Sequence, residues 1–181
     1  MRDAMPDEPE MVDPHTGLAN RRALDAVLSR LETEQSGAGL AYAFVDVDHL
    51  KLVNDEYGPD VGDQALSAIA QRIRSQLRAG DFACRYGGEE FLIILDNVED
   101  VSQVRDVLEL MCTAVALPIR YRDSQRASTG EDSLSLSVTV SIGATLADRA
   151  EPASDALMRA GRAMYATAGT GGNCVRLYLP E

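Results

Sequence analysis

Arg85-Tyr86-Gly87-Gly88-Glu89-Glu90-Phe91 reads as two strands meeting at a tight turn. Asp81 to Tyr86 leads in and Glu89 to Leu95 leads out. A Gly-Gly pair between two such runs is a hairpin signal. Without side chains, Gly87 and Gly88 permit the turn and let a ligand come close to the backbone. Two neighbouring carboxylates, Glu89 and Glu90, then stand at the mouth of the hairpin.

Upstream, Leu40 to Val47 is a short apolar run that predicts a buried strand. It ends in Asp46 and Asp48, two residues apart, which a continuing strand would place on one face. Leu24, Val27, Leu28 and Leu31 predict a helix over 20–34. Ala65, Leu66, Ile69, Ile73 and Leu77 predict a second one, ending near Gly80. Asn54, Asp55 and Gly58 between them read as turn chemistry.

Downstream, Val101, Val104, Val107, Leu108, Met111 and Val115 mark a third helix. Pro118 to Arg122 reads as a short edge strand and Asp123 to Ser133 as a polar loop. Leu134 to Leu146 alternates throughout and reads as one strand. Glu151-Pro152 opens a fourth helix running to Tyr165, and Cys174 to Leu179 a last strand. The central order strand–helix–strand–strand–helix–strand is ferredoxin-like. The expectation is an α+β domain with a central, mostly antiparallel sheet and flanking helices.

The 181 residues suit one domain, and 45% hydrophobic content suits a packed core. Residues 1–12 are acidic, contain Pro6 and Pro9, and read as a linker or flexible lead-in to a domain over 13–181. A net charge of −12 argues against nucleic-acid binding. No apolar run approaches the ~20 residues of a bilayer span, so membrane contact is not expected. Cys84, Cys112 and Cys174 form no CxxC pair and no cluster with His15 or His49. They read as reduced packing thiols of a cytoplasmic protein.

Asp46 and Glu89 fall on strand ends that the expected fold makes neighbours. A hard cation such as magnesium takes oxygen ligands of this kind. Each feature alone is weak, since any strand end can carry an Asp and any hairpin a Gly-Gly.

Four segments taken together resemble the GGDEF diguanylate cyclase family. They are Asp13-Pro14-His15-Thr16-Gly17-Leu18-Ala19-Asn20-Arg21-Arg22, with His15 in a usually apolar place; Asp46-Val47-Asp48-His49-Leu50-Lys51 through Asn54-Asp55 and Gly58 to Gly62-Asp63; the Gly87-Gly88-Glu89-Glu90-Phe91 segment, a GGEEF variant; and Val140-Ser141-Ile142-Gly143-Ala144 with Ala163-Met164-Tyr165 and Asn173. The resemblance spans about residues 13–178 and implies a nucleotidyl cyclase palm. It implies a homodimer in which two GTP molecules condense into cyclic di-GMP with release of two pyrophosphates. It also implies an upstream sensory domain.

By position, the resemblance implies Mg²⁺ or Mn²⁺ on Asp46, the Val47 carbonyl, Glu89 and Glu90. Glu89 would help take up the hydroxyl proton, and Glu90 would assist at the second metal. Asn54 and Asp63 would read guanine, whose two parallel N–H donors suit a carboxylate. The amides of His49 and Leu50, with Lys51, would meet phosphate. Arg78 and Asp81, in an Arg-x-x-Asp spacing, would form an inhibitory site for the cyclic product. The sequence departs from the family at Ala168 and Gly172, where Lys and Arg usually grip the triphosphate. It also departs at Pro59, in place of a common His, and at Gly161, in place of a common Asp. Lys51, Arg162 and Arg176 are candidate substitutes for the missing cations. Two outcomes therefore stay open: a working cyclase, or a module that binds GTP or cyclic di-GMP with little or no turnover.

Overall fold

The structure, a computed structural model, describes residues 9–33, 37–122, 134–167 and 171–178. Helix α1 spans Arg21–Thr33, strand β1 Gly39–Val47, helix α2 Leu50–Tyr57 and helix α3 Pro59–Gln76. Strands β2 (Phe82–Arg85) and β3 (Glu90–Val98) form the expected hairpin, and helix α4 covers Val101–Val115. Strands β4 (Ile119–Tyr121), β5 (Leu134–Leu136) and β6 (Val140–Ala147), helix α5 (Ala153–Tyr165) and strand β7 (Cys174–Tyr178) complete it.

Five strands form one sheet in the order β2-β3-β1-β6-β7, antiparallel except for the β6–β7 pair. The expected α+β architecture is thus the observed one. Alternation along β1 divides the core in two. Ala41, Ala43, Val45 and Val47 pack with Val61, Ile69 and Ile73 of α3 and Leu108 and Met111 of α4. Leu40, Tyr42 and Phe44 pack on the other face with Ala23 and Leu24 of α1 and Ala156 and Ala160 of α5. The sheet therefore lies between two helical layers.

Helix ends follow local chemistry. Asn20 Oδ1 accepts from the amides of Arg22 and Ala23, capping α1. Asp100 accepts from Gln103 N while Gln103 Oε1 accepts from Glu99 N, a reciprocal cap on α4. Arg72 of α3 donates to the carbonyls of Val115, Leu117 and Pro118, closing the other end of α4.

Three expectations change. The stretch around Asn54 and Asp55 is not a turn but α2. The turn is Gly58 alone, at φ +89°, a left-handed value that suits glycine, with Pro59 opening α3. Leu134 to Leu146 is not one strand. Its first part, β5, leaves the main sheet and pairs with β4, and only β6 joins β1. For the same reason Ile119–Tyr121 edges a separate two-stranded sheet. The polar loop expected at 123–133 lies outside the described residues, as do residues 1–8 of the acidic lead-in. Among the described residues no helix is long and apolar enough to cross a membrane.

Candidate active site

The antiparallel pairing of β1 with β3 sets Asp46 opposite Glu90, with Ser141 on the other side of Asp46. The β2–β3 turn is narrow: the amides of Tyr86 and Gly87 both donate to Glu90 O, at 2.8 and 3.1 Å. Val47 N reaches across to Glu89 O at 3.1 Å, fixing the hairpin against the end of β1. Gly87 lets the Glu90 carboxylate fold back, since a Cβ there would lie 2.7 Å from Glu90 Oε2. Gly88 faces open space.

These elements border a cavity of about 480 Å³ lined by Asp46, Leu50, Asn54, Asp63, Leu66, Arg85, Gly88, Glu89 and Glu90. Strand edges supply the carboxylates and helices α2 and α3 supply Asn54 and Asp63. Asn54 is seated by Gly62, where a Cβ would fall 1.8 Å from Asn54 Oδ1. The Asn54 amide occupies the space that a side chain at position 62 would take.

Burial and the neighbouring charges of Glu89, Glu90 and Asp48 push the Asp46 carboxyl up to about 6. Like charges gathered this way favour a divalent cation. Among the described residues no three acidic, His or Cys side chains converge into a ready cage. Magnesium takes one or two carboxylates and completes its shell with water and phosphate oxygens, and the cavity-lining Asp46, Glu89 and Glu90 are donors of that kind.

Other expected residues stand apart from the cavity lining. His49 caps α2 at φ +58°, and its carbonyl accepts from Leu52 and Val53. Lys51, Arg162 and Arg176 are exposed and do not line the cavity. The side chain of Val47 is buried in the core, so only its carbonyl is eligible as a ligand. Asp81 sits at the other end of β2, roughly 13 Å of strand away. Its carboxylate accepts from Arg78 N at 2.8 Å and Asp96 N at 3.0 Å, so it shapes the turn that presents Arg78.

Asp48 does not share the face of Asp46. β1 ends at Val47, and the next residues turn into α2. The Asp48 carboxylate accepts from Thr139 Oγ1 and Ser141 Oγ, both at 2.6 Å, and from Asn173 N at 2.8 Å. It ties β1, β6 and the loop before β7 together. Gly172 lies against it at φ +78°, where a Cβ would come 2.7 Å from the carboxylate. Position 172 is thus closed to a side chain by a carboxylate and by backbone geometry. Ala168 lies outside the described residues.

Arg85 was not among the expected ligands, although it stands in the motif. Its guanidinium donates to Gly87 O at 3.2 Å and Gly88 O at 2.7 Å, and pairs with Asp13 Oδ1 at 3.3 Å. Asp13 also accepts from Thr16 N and Thr16 Oγ1. Burial raises the Asp13 carboxyl, but these hydrogen bonds and Arg85 outweigh it and hold it below the usual carboxylate value. The turn at Asp13–Gly17 is thereby fastened to the Gly87-Gly88 hairpin. A cation two residues before the Gly-Gly turn was the available signal. Its partner Asp13, 72 residues away, gave none.

A mostly antiparallel sheet with an acid-lined cleft between a hairpin and two helices defines a class, and comparison with known proteins identifies the family. Residues 10–174 match the family model described as "Diguanylate cyclase, GGDEF domain", and the chain belongs to that family. It is similar to the diguanylate cyclase DgcP of Pseudomonas aeruginosa, at 37% identity over 86% of this chain and 22% of that protein. It is also similar to the cyclic di-GMP phosphodiesterase NbdA of the same organism, at 33% identity over 92% of this chain and 20% of that protein. The chain therefore spans about a fifth of the length of these relatives. Among solved structures, the GGDEF domain of DgcB from Caulobacter crescentus in complex with c-di-GMP superposes with a TM-score of 0.81 at 32% identity, covering 97% of each chain. The diguanylate cyclase SiaD in complex with its activator SiaC, from Pseudomonas aeruginosa, gives 0.81 at 33% identity, covering 94% of this chain and 63% of that one.

Proposed function

We propose that this domain condenses two GTP molecules into cyclic di-GMP and two pyrophosphates, each of two facing copies holding one GTP. The observation that carries the reading is the single cavity in which Asp46, Glu89 and Glu90 meet Asn54 and Asp63. Asp63 pairs with the N–H edge of guanine and Asn54 completes the contact. Adenine in that place would leave the carboxylate poorly paired. The first-turn amides of α2 and the backbone at open Gly88 receive the phosphates. Asp46, the Val47 carbonyl and Glu89, with Glu90 beside them, are the groups that would hold Mg²⁺ or Mn²⁺. The bound ion supplies Lewis-acid activation of the hydroxyl and charge neutralisation at the leaving group. Glu89 takes the proton of the 3′-hydroxyl. That oxygen then forms its bond to the α-phosphorus of the facing GTP while the bond to pyrophosphate breaks. Arg78, at the turn shaped by Asp81, is the anchor of a second, inhibitory site for the product.

A second reading is favoured by Gly172 and by the absence of Lys51, Arg162 and Arg176 from the cavity lining. On this reading the domain binds GTP or cyclic di-GMP without rapid turnover. The purified domain with GTP and magnesium distinguishes the two. Cyclic di-GMP and pyrophosphate, formed at a rate rising faster than linearly with protein concentration, support the cyclase. Bound GTP with no product at high protein concentration sinks it and leaves the binding module.

A further inference from the structure

His15 stands where the family usually carries an apolar side chain, and it faces Asp63. Its Nδ1 lies 3.9 Å from Asp63 Oδ2, and both side chains are more than half exposed, at 58% and 55%. It is the one side-chain partner described for Asp63. His15 itself does not line the cavity, whereas Asp63 does. Any influence on a ligand therefore passes through Asp63.

The backbone carrying His15 is held on both sides. Asp13 Oδ1 takes hydrogen bonds from Thr16 N at 2.9 Å and Thr16 Oγ1 at 2.7 Å. Gly17 N donates to Asp13 O at 2.9 Å, and Asp13 N donates to Leu18 O at 2.8 Å. Arg85 then fastens Asp13 to the carbonyls of Gly87 and Gly88. The imidazole is thus mounted on the same clamp that holds the carboxylate hairpin.

We propose that His15 is a positioning residue of the base subsite, holding the Asp63 carboxylate in the orientation that receives guanine. This rests on the assignment of Asp63 as the guanine-reading group. An exposed aspartate on a helix otherwise samples several rotamers, and fixing one on binding costs affinity. At 3.9 Å the contact is longer than a direct hydrogen bond, so it acts as an electrostatic guide that a small movement closes. Imidazole suits the role, offering an N–H to one carboxylate oxygen while the other stays free for the base. A leucine in the same place offers no such contact.

The test is GTP binding with magnesium, by calorimetry, for the wild type, His15→Leu and His15→Gln. Each variant is measured with Asp63 intact and with Asp63→Asn. His15→Leu is expected to weaken GTP binding about two- to fivefold, the scale of an exposed polar side-chain contact. His15→Gln should recover part of the loss, and neither should move the melting temperature. In the Asp63→Asn background, His15→Leu should change nothing further. Unchanged or tighter binding by His15→Leu overturns the proposal, as does an equal loss in the Asp63→Asn background. A wild type that binds no GTP overturns the base-subsite assignment as well. That failure is recognisable, because it shows in the parent protein before any variant is compared.

Discussion

Asp46 and Asp48 stand two residues apart at the end of β1 and meet opposite treatment. Asp46 faces Glu89 and Glu90, and its carboxyl is pushed up to about 6 by burial and by those charges. Asp48 is served by two hydroxyls and an amide, all within 2.8 Å. The first carboxylate is held among like charges. The second is spent on structure. The comparison teaches that an Asp-x-Asp pair need not act as a pair: one turn of backbone after Val47 leaves one facing the cavity and commits the other to architecture.

The largest expected effect lies on the Asp46 side. Asp46→Asn or Glu89→Gln should lower turnover on the order of a thousandfold, the scale for losing a group that stabilises transition-state charge. Neither should lower the melting temperature of the metal-free protein. Parallel activity and melting measurements check this, and a folded Asp46→Asn variant with ordinary activity would break the assignment.

Asp48→Ala should do the reverse in character. It strands the Thr139 and Ser141 hydroxyls and the Asn173 amide and releases the loop before β7. The expected cost is about 2–4 kcal/mol of stability, from several charge-assisted hydrogen bonds lost together. Urea unfolding reads this directly, and a variant as stable as the parent would erase the contrast.

Gly172→Arg sharpens the same contrast from the neighbouring loop. Restoring the family's arginine looks like a simple repair from sequence, but the side chain would start 2.7 Å from the Asp48 carboxylate at φ +78°. A non-glycine residue held left-handed costs about 1–2 kcal/mol before any contact is counted. Gly172→Arg alone should therefore destabilise the domain without raising turnover. Turnover that rises with stability unchanged would show that the loop rearranges freely.

The sheet was legible because its signals are local. The Gly87-Gly88 pair, the apolar run at 40–47 and the helical periodicities each lie within a few residues. The carboxylate half of the cavity followed, because register alone sets Asp46 against Glu90. Helix α2 was missed since Asn54, Asp55 and Gly58 are turn formers, while its eight residues are too few for Leu50 and Val53 to establish a period. The break at 137–139 was hidden because alternation runs straight through it. What ends the strand there is distant: Thr139 donates to Asp48, 91 residues earlier. Arg85 and His15 escaped for the same reason, each acting on a partner far along the chain.

The smallest effect tests Asp46 by pH. Its folded carboxyl is raised from 3.8 to about 6, so between those values the native state holds its proton more tightly than the unfolded chain. Stability from this group is complete below about pH 4 and is lost as pH rises through 6. Asp13 runs the other way: its carboxyl is lowered, so its contribution is lost as pH falls. Asp46 is only partly buried, so its share, discounted for screening, is below about 1 kcal/mol. That corresponds to at most about 2–4 °C in melting temperature. Metal-free protein should melt a few degrees lower at pH 7 than at pH 5, and Asp46→Asn should flatten that difference. Magnesium should raise the melting temperature at pH 7 and have little effect at pH 5, where a proton competes for the same oxygen. An equal magnesium shift at both values would place the cation somewhere other than Asp46.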